Sequence, residues 1–137
     1  MILNRARSRI GAWVRVIEIP DMDNAIEVKS FQFSVRIVRL CRHLSDAKRE
    51  HVLSRQLLRA GTSIGANVAE AQQAQSRADF ISKISIALKE TTETKYWIRL
   101  LVATDYLAQA EYDSIYRDCT ELEKILTSIL KTSKSDS

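Results

Sequence analysis

Apolar side chains recur at helical spacing through four stretches of the chain, separated by short polar runs. The first stretch runs from Glu27 or Ser30 to Leu44. On a helical wheel Phe31, Phe33, Val35, Ile37, Val38, Leu40, Cys41 and Leu44 take up more than half of its circumference. One core contact needs a stripe only about 100° wide. The excess predicts a second buried surface, and a partner subunit is its simplest source.

After Ser45-Asp46-Ala47 the second helix is expected from Lys48 to Gln73, with Leu53, Leu57, Ala60, Ile64 and Ala71 on its core face. Gly61, Gly65 and Ala69 form a ridge of small residues four apart, beside Leu58. A mid-helix glycine costs about 1 kcal/mol relative to alanine. Two on one face imply that another backbone approaches closely there; the alternative is a helix break at Arg59–Ser63.

The third helix opens on Ser76-Arg-Ala-Asp79, a capping box with Asp in place of the commoner Glu or Gln, and runs to Thr104. Phe80, Ile84, Ala87, Leu88, Thr91, Ile98 and Leu101 give its buried stripe, and Lys89 stands at pairing distance from Glu93. A turn over 105–111 leads to the fourth helix, Tyr112 to Lys131, with Ile115, Cys119, Leu122, Leu126 and Ile129 inward. Four helices with short connections predict an all-α, antiparallel, up-down-up-down four-helix bundle over residues 26–132. Residues 133–137 are expected to fray.

Residues 1–25 break the pattern. They are Arg-rich, hold the only proline and show no sustained helical period, so a basic, flexible extension is expected. Met22 offers a second start, which would leave 1–21 outside the native product. The segment Ile10–Ile17 makes a poor signal peptide, because Arg15 interrupts it and no small-residue cleavage site follows before Pro20. No stretch approaches the ~20 apolar residues of a membrane span. Cys41 and Cys119, far apart and without metal-ligand spacing, read as reduced, buried thiols. A cytoplasmic protein is expected.

The 137 residues suit one domain, and only 3 Gly and 1 Pro argue against sandwiches, barrels and Gly-turn-rich α/β enzymes. The formal net charge of +4 is unevenly spread. Residues 29–59 hold eight basic side chains against Asp46 and Glu50, whereas residues 60–137 are net acidic. A basic half can meet polyanions; the alternative is an ordinary solvated surface.

Most catalytic patterns are missing. There is no GxGxxG, P-loop, HExxH or GxSxG. His43 and His51 straddle the first turn, and neither sits in a Glu-x-x-His pair. Glu70, Glu90 and Glu93 read as solvated or paired charges rather than an acid–base set. Tyr96-Trp97 could stack on nucleobases, but such aromatics more often anchor a core or an interface. No catalytic residue, metal site or cofactor is expected.

The run Arg59-Ala-Gly-Thr-Ser-Ile-Gly-Ala-Asn-Val-Ala-Glu-Ala-Gln72, with Ser76–Glu90 and Glu93-Thr-Lys-Tyr-Trp97, closely resembles the bacterial four helix bundle protein family. That family is also called the 23S rRNA intervening-sequence protein, or S23 ribosomal protein, family. The resemblance covers about residues 22–132, and Asn24 to Leu44 looks like the family's first helix. It implies an antiparallel bundle assembling into a ring, typically a pentamer. A related group, the accessory proteins of diversity-generating retroelements, forms basic pentameric barrels thought to bind nucleic acid and a reverse transcriptase. Gly61, Ser63, Ile64, Gly65, Asn67 and Glu70 occupy the family's SIxANxxE-like signature. Many members carry Pro where this chain has Gly65, which leaves a local bend open.

The leading expectation is a non-enzymatic homo-oligomer that presents a basic surface to structured RNA or DNA. Lys29, Arg36 and Arg39 on the first helix, with Lys48, Arg55 and Arg59 on the second, are the expected phosphate contacts. The alternative is a protein-interaction scaffold, an accessory subunit for a nucleic-acid enzyme such as a reverse transcriptase. Neither reading involves a membrane.

Overall fold

The computed structural model describes residues 20–135, with side chains described from Ala25 onward. Residues 1–19, most of the expected extension, lie outside the described residues. Four helices follow one another: α1 Pro20–Asp46, α2 Leu53–Ala71, α3 Arg77–Ala103 and α4 Gln109–Ser135. The short connections force neighbours to run antiparallel. Each helix packs on the next, and α1 meets α4 to close the square. The result is the expected all-α, up-down-up-down four-helix bundle.

The core lies on the bundle axis. Ile26, Phe33, Ile37 and Leu44 enter it from α1, and Leu57, Ile64 and Val68 from α2. Phe80, Ile84 and Ile98 come from α3; Ile115, Leu122 and Leu126 come from α4. Cys41 and Cys119 are buried and unbridged. Burial pushes each thiol up to about 12, so both stay protonated near neutrality.

Three boundaries differ from the sequence reading by four residues or more. First, α1 begins at Pro20 rather than near Glu27; proline suits a first helical position, where a missing N–H costs no bond. Second, α2 begins at Leu53 rather than Lys48, because Glu50 ends the turn and starts the helix. Its carboxylate accepts from the backbone N–H groups of Val52, Leu53 and Ser54 at 3.2, 3.0 and 2.7 Å. Ser54 Oγ donates back to the Glu50 carbonyl at 2.8 Å. Arg49, just before it, has φ 57°, a left-handed conformation that is costly for a residue with a Cβ. Third, α4 continues to Ser135 with Ser133 buried, past the expected end at Lys131.

The third helix starts as its capping box requires. Ser76 Oγ accepts from the Asp79 N–H at 3.0 Å, and Asp79 Oδ2 accepts from the Gln75 N–H at 3.2 Å. The expected Lys89–Glu93 pair does not form. Glu93 instead accepts from Arg59 of α2 and from Trp97 Nε1 one turn on.

The small-residue ridge is explained within the chain. A Cβ at Gly61 would lie 2.8 Å from Ile37 Cγ1, and one at Gly65 would lie 3.0 Å from Ser34 Oγ and 3.2 Å from the Ser30 carbonyl. At Gly65 the approaching backbone is α1 itself, whereas at Gly61 the Ile37 side chain of α1 takes the space. Helix α2 runs unbroken through both glycines, with neither a break at Arg59–Ser63 nor an end at Gly65.

Candidate nucleic-acid interface

The six cations expected to meet phosphates fall into two groups. Three are held inside the monomer. Lys29 Nζ lies 2.9 Å from Glu121 on α4, and Arg36 Nη1 lies 2.7 Å from Asp118, with Nη2 donating to Ser114 Oγ. Arg59 pairs with Glu93 and lies 3.8 Å from Glu90, both on α3. These cations tie α1 to α4 and α2 to α3. Burial, followed by the charge of Glu93, raises the Glu90 carboxyl above its ordinary range, and Arg59 offsets part of that rise.

The other three are exposed: Arg39, Lys48 and Arg55 have no carboxylate within ion-pair distance among the described residues. They do not share one face. Arg39 lines a cleft towards α4 with Glu111, Lys48 sits in the turn, and Arg55 borders a groove between α1 and α2. That groove also brings in Arg42 and His51, which periodicity alone did not single out. Arg42 and Arg49 are likewise exposed and unpaired among the described residues. The signal for Arg42 was present in its spacing from Val38, one turn earlier on the same side of the helix.

The unpaired positive charge around the first turn thus comprises Arg42, Lys48, Arg49 and Arg55, with Arg39 in the cleft towards α4. The acidic neighbours are Asp46, exposed in the groove, Glu50 at the turn, and Glu111 beside Arg39. Glu50 is only 8% exposed. Burial pushes its pKa up, but the N–H groups of Leu53, Ser54 and Val52 outweigh that and hold it below the usual carboxylate range. Those N–H groups are taken, so any anion here must be met by side chains.

The same α1–α2 face continues away from the turn into an apolar groove of about 460 Å³. Phe31 stands on its rim, 69% exposed, opposite Gly65, Ala66 and Ala69. Val28 and Val38 add exposed apolar surface on α1. Part of the broad apolar arc of α1 therefore has no cover in the monomer.

The signature residues make intrachain contacts. Ile64 is in the core, and Gly61 and Gly65 admit α1. Ser63 Oγ donates to the Arg59 carbonyl and Asn67 Nδ2 to the Ser63 carbonyl, while Glu70 pairs with Lys83 at 2.9 Å. Tyr96 is exposed and meets the half-buried Trp97 edge-on. Among the described residues no three His, Cys, Asp or Glu side chains gather as metal ligands, and no helix is long and apolar enough to cross a membrane.

A family model for the 23S rRNA-intervening sequence protein matches residues 22–128. Among solved structures, a Bacteroides thetaiotaomicron protein of unknown function from the S23 ribosomal protein family is 55% identical, with a TM-score of 0.80. The alignment covers 80% of this chain and 98% of that one. No curated protein matches the chain. Neither the family description nor that of the solved relative names an enzymatic activity.

Proposed function

The chain belongs to the 23S rRNA-intervening sequence protein family, and from that footing we propose a non-enzymatic homo-oligomer that binds structured RNA or DNA through the basic end around its first turn. The observation that carries this reading is the sorting of cations. Lys29, Arg36 and Arg59 are matched by carboxylates on neighbouring helices, whereas Arg42, Lys48, Arg49 and Arg55 are left to solvent around one turn and Arg39 in the cleft towards α4. Phosphate contacts of this kind bind with little regard to sequence and weaken steeply with salt.

Self-association is part of the same reading. The uncovered groove around Phe31 gives a second copy an apolar surface, and the resemblance implies a ring of five. Each added chain brings another formal +4, so the field that steers a polyanion grows with assembly.

The test is charge reversal followed by RNA titration at several salt concentrations. Reversing Arg39, Lys48 and Arg55 together should abolish binding at low salt. Replacing Lys29 and Arg36 with glutamine should leave it nearly intact. Equal loss from both sets would remove the basis for the assignment.

A second reading rests on the Phe31 groove: a scaffold for a polypeptide partner, such as a nucleic-acid enzyme. Partner capture that survives nuclease treatment and is lost in Phe31→Asp would favour it.

A further inference from the structure

Where the C-terminal half of α1 faces the first turns of α2, an open groove of about 350 Å³ combines two kinds of lining. Arg42 and Arg55 stand on its α1 and α2 sides, both exposed and without a carboxylate at ion-pair distance among the described residues. Val38 and Leu58 add an apolar wall, each 38% exposed. The volume lies at the lower end of small-ligand sites, roughly 300–1,000 Å³. It is therefore the size of one small polar–apolar unit rather than of a folded partner.

From this combination we propose that the groove is a subsite for an unpaired nucleotide, with Arg42 and Arg55 on its phosphate and Val38 and Leu58 against its base. The assignment rests on the nucleic-acid reading above and narrows it. A free phosphate would use the two guanidinium groups and leave the apolar wall wet. A base-paired stem turns its phosphates outward and its bases inward, so it cannot present both parts of one nucleotide to a concave site. A loop, bulge or single strand can. The wall is aliphatic and offers no aromatic platform, so the selection is for unpaired nucleotides in general and not for one base.

Two further features bear on the site. The first N–H groups of α2 are occupied by Glu50, so its helix N-terminus contributes no anion hole. His51 Nδ1 lies 2.8 Å from Ser45 Oγ, which fixes the ring at the groove edge. Asp46 is the one acidic side chain in the lining, and its carboxylate opposes a phosphate there.

The test is fluorescence anisotropy of the full chain with a labelled oligouridylate and, separately, a fully paired RNA duplex. The wild type should prefer the single strand. The Arg42→Ala/Arg55→Ala double variant should lower single-strand affinity by at least ~tenfold and reduce the log–log salt slope by about 0.7, the amount for one phosphate of a single strand no longer neutralised. Leu58→Ser should narrow the preference for single strand, and Asp46→Asn should tighten binding. Urea unfolding and light scattering of each variant identify any loss of fold or change of assembly, and Asp46→Asn carries the test should the double variant misfold. If the wild type binds neither RNA, both the subsite and the nucleic-acid reading fall. If it binds both equally, or the folded double variant binds like the wild type, the subsite falls and the broader reading stands. A double variant that changes the oligomer's mass while its RNA affinity is unaltered would overturn the subsite and give the groove to a second copy.

Discussion

Arg36 Nη1 lies 2.7 Å from Asp118 Oδ2, so a cation from the basic first half of the chain is neutralised by the acidic last helix. The pair is partly exposed, and such pairs contribute at most about 1 kcal/mol. Arg36→Ala should therefore shift the urea midpoint only slightly and leave RNA affinity close to that of the wild type. A large loss of affinity with unchanged stability would return Arg36 to the binding surface.

A Cβ added at Gly61 would lie 2.8 Å from Ile37 Cγ1 and 2.9 Å from Cγ2, closer than real Cβ contacts come. Gly61→Ala gains about 1 kcal/mol of helix propensity. It also forces a core shift costing typically ~1–3 kcal/mol. The expected outcome is a net loss of about 1 kcal/mol by urea unfolding. In an Ile37→Ala background the clash is absent, and the same substitution should stabilise. A double-mutant cycle reads that coupling directly.

Glu50 and Glu90 should respond to pH in opposite directions. The folded protein lowers the Glu50 carboxyl, so its stabilisation is present above the ordinary carboxylate range and is lost as pH falls through the lowered value. Glu50→Gln should cost about 1–2 kcal/mol near neutrality, typical of a lost helix cap, with the gap closing in acid. The Glu90 carboxyl is raised, so its ionised form opposes folding once pH exceeds the unfolded value. Glu90→Gln should be neutral or slightly stabilising near neutrality and lose that advantage in acid. Urea midpoints across the acidic range measure both.

Phe31 is the most direct handle on assembly. Phe31→Asp removes exposed apolar surface without touching the core, so monomer stability should hold while the mass in solution falls. A wild-type oligomer unaffected by this change would place its interface elsewhere.

The fold was legible because each helix carries its own apolar stripe, and because Ser76 and Asp79 mark a start that local hydrogen bonds alone enforce. The start of α2 was not legible. It depends on Glu50 folding back on three N–H groups and on Arg49 accepting a left-handed conformation, neither of which periodicity registers. The glycine ridge signalled a close approach, and the partner is α1 of the same chain, by its backbone at Gly65 and by the Ile37 side chain at Gly61. Counting charge along the sequence located the basic half. Only tertiary packing could separate Lys29, Arg36 and Arg59, which meet carboxylates far along the chain, from Arg42 and Arg55, which meet none.

The most direct measurement is molar mass by light scattering, with and without a structured RNA carrying an unpaired loop, at low and high salt. The expected result is an oligomer that takes up RNA at low salt and releases it at high salt. A particle whose mass is unchanged by RNA at low salt would contradict the nucleic-acid assignment, and a stable monomer would contradict self-association.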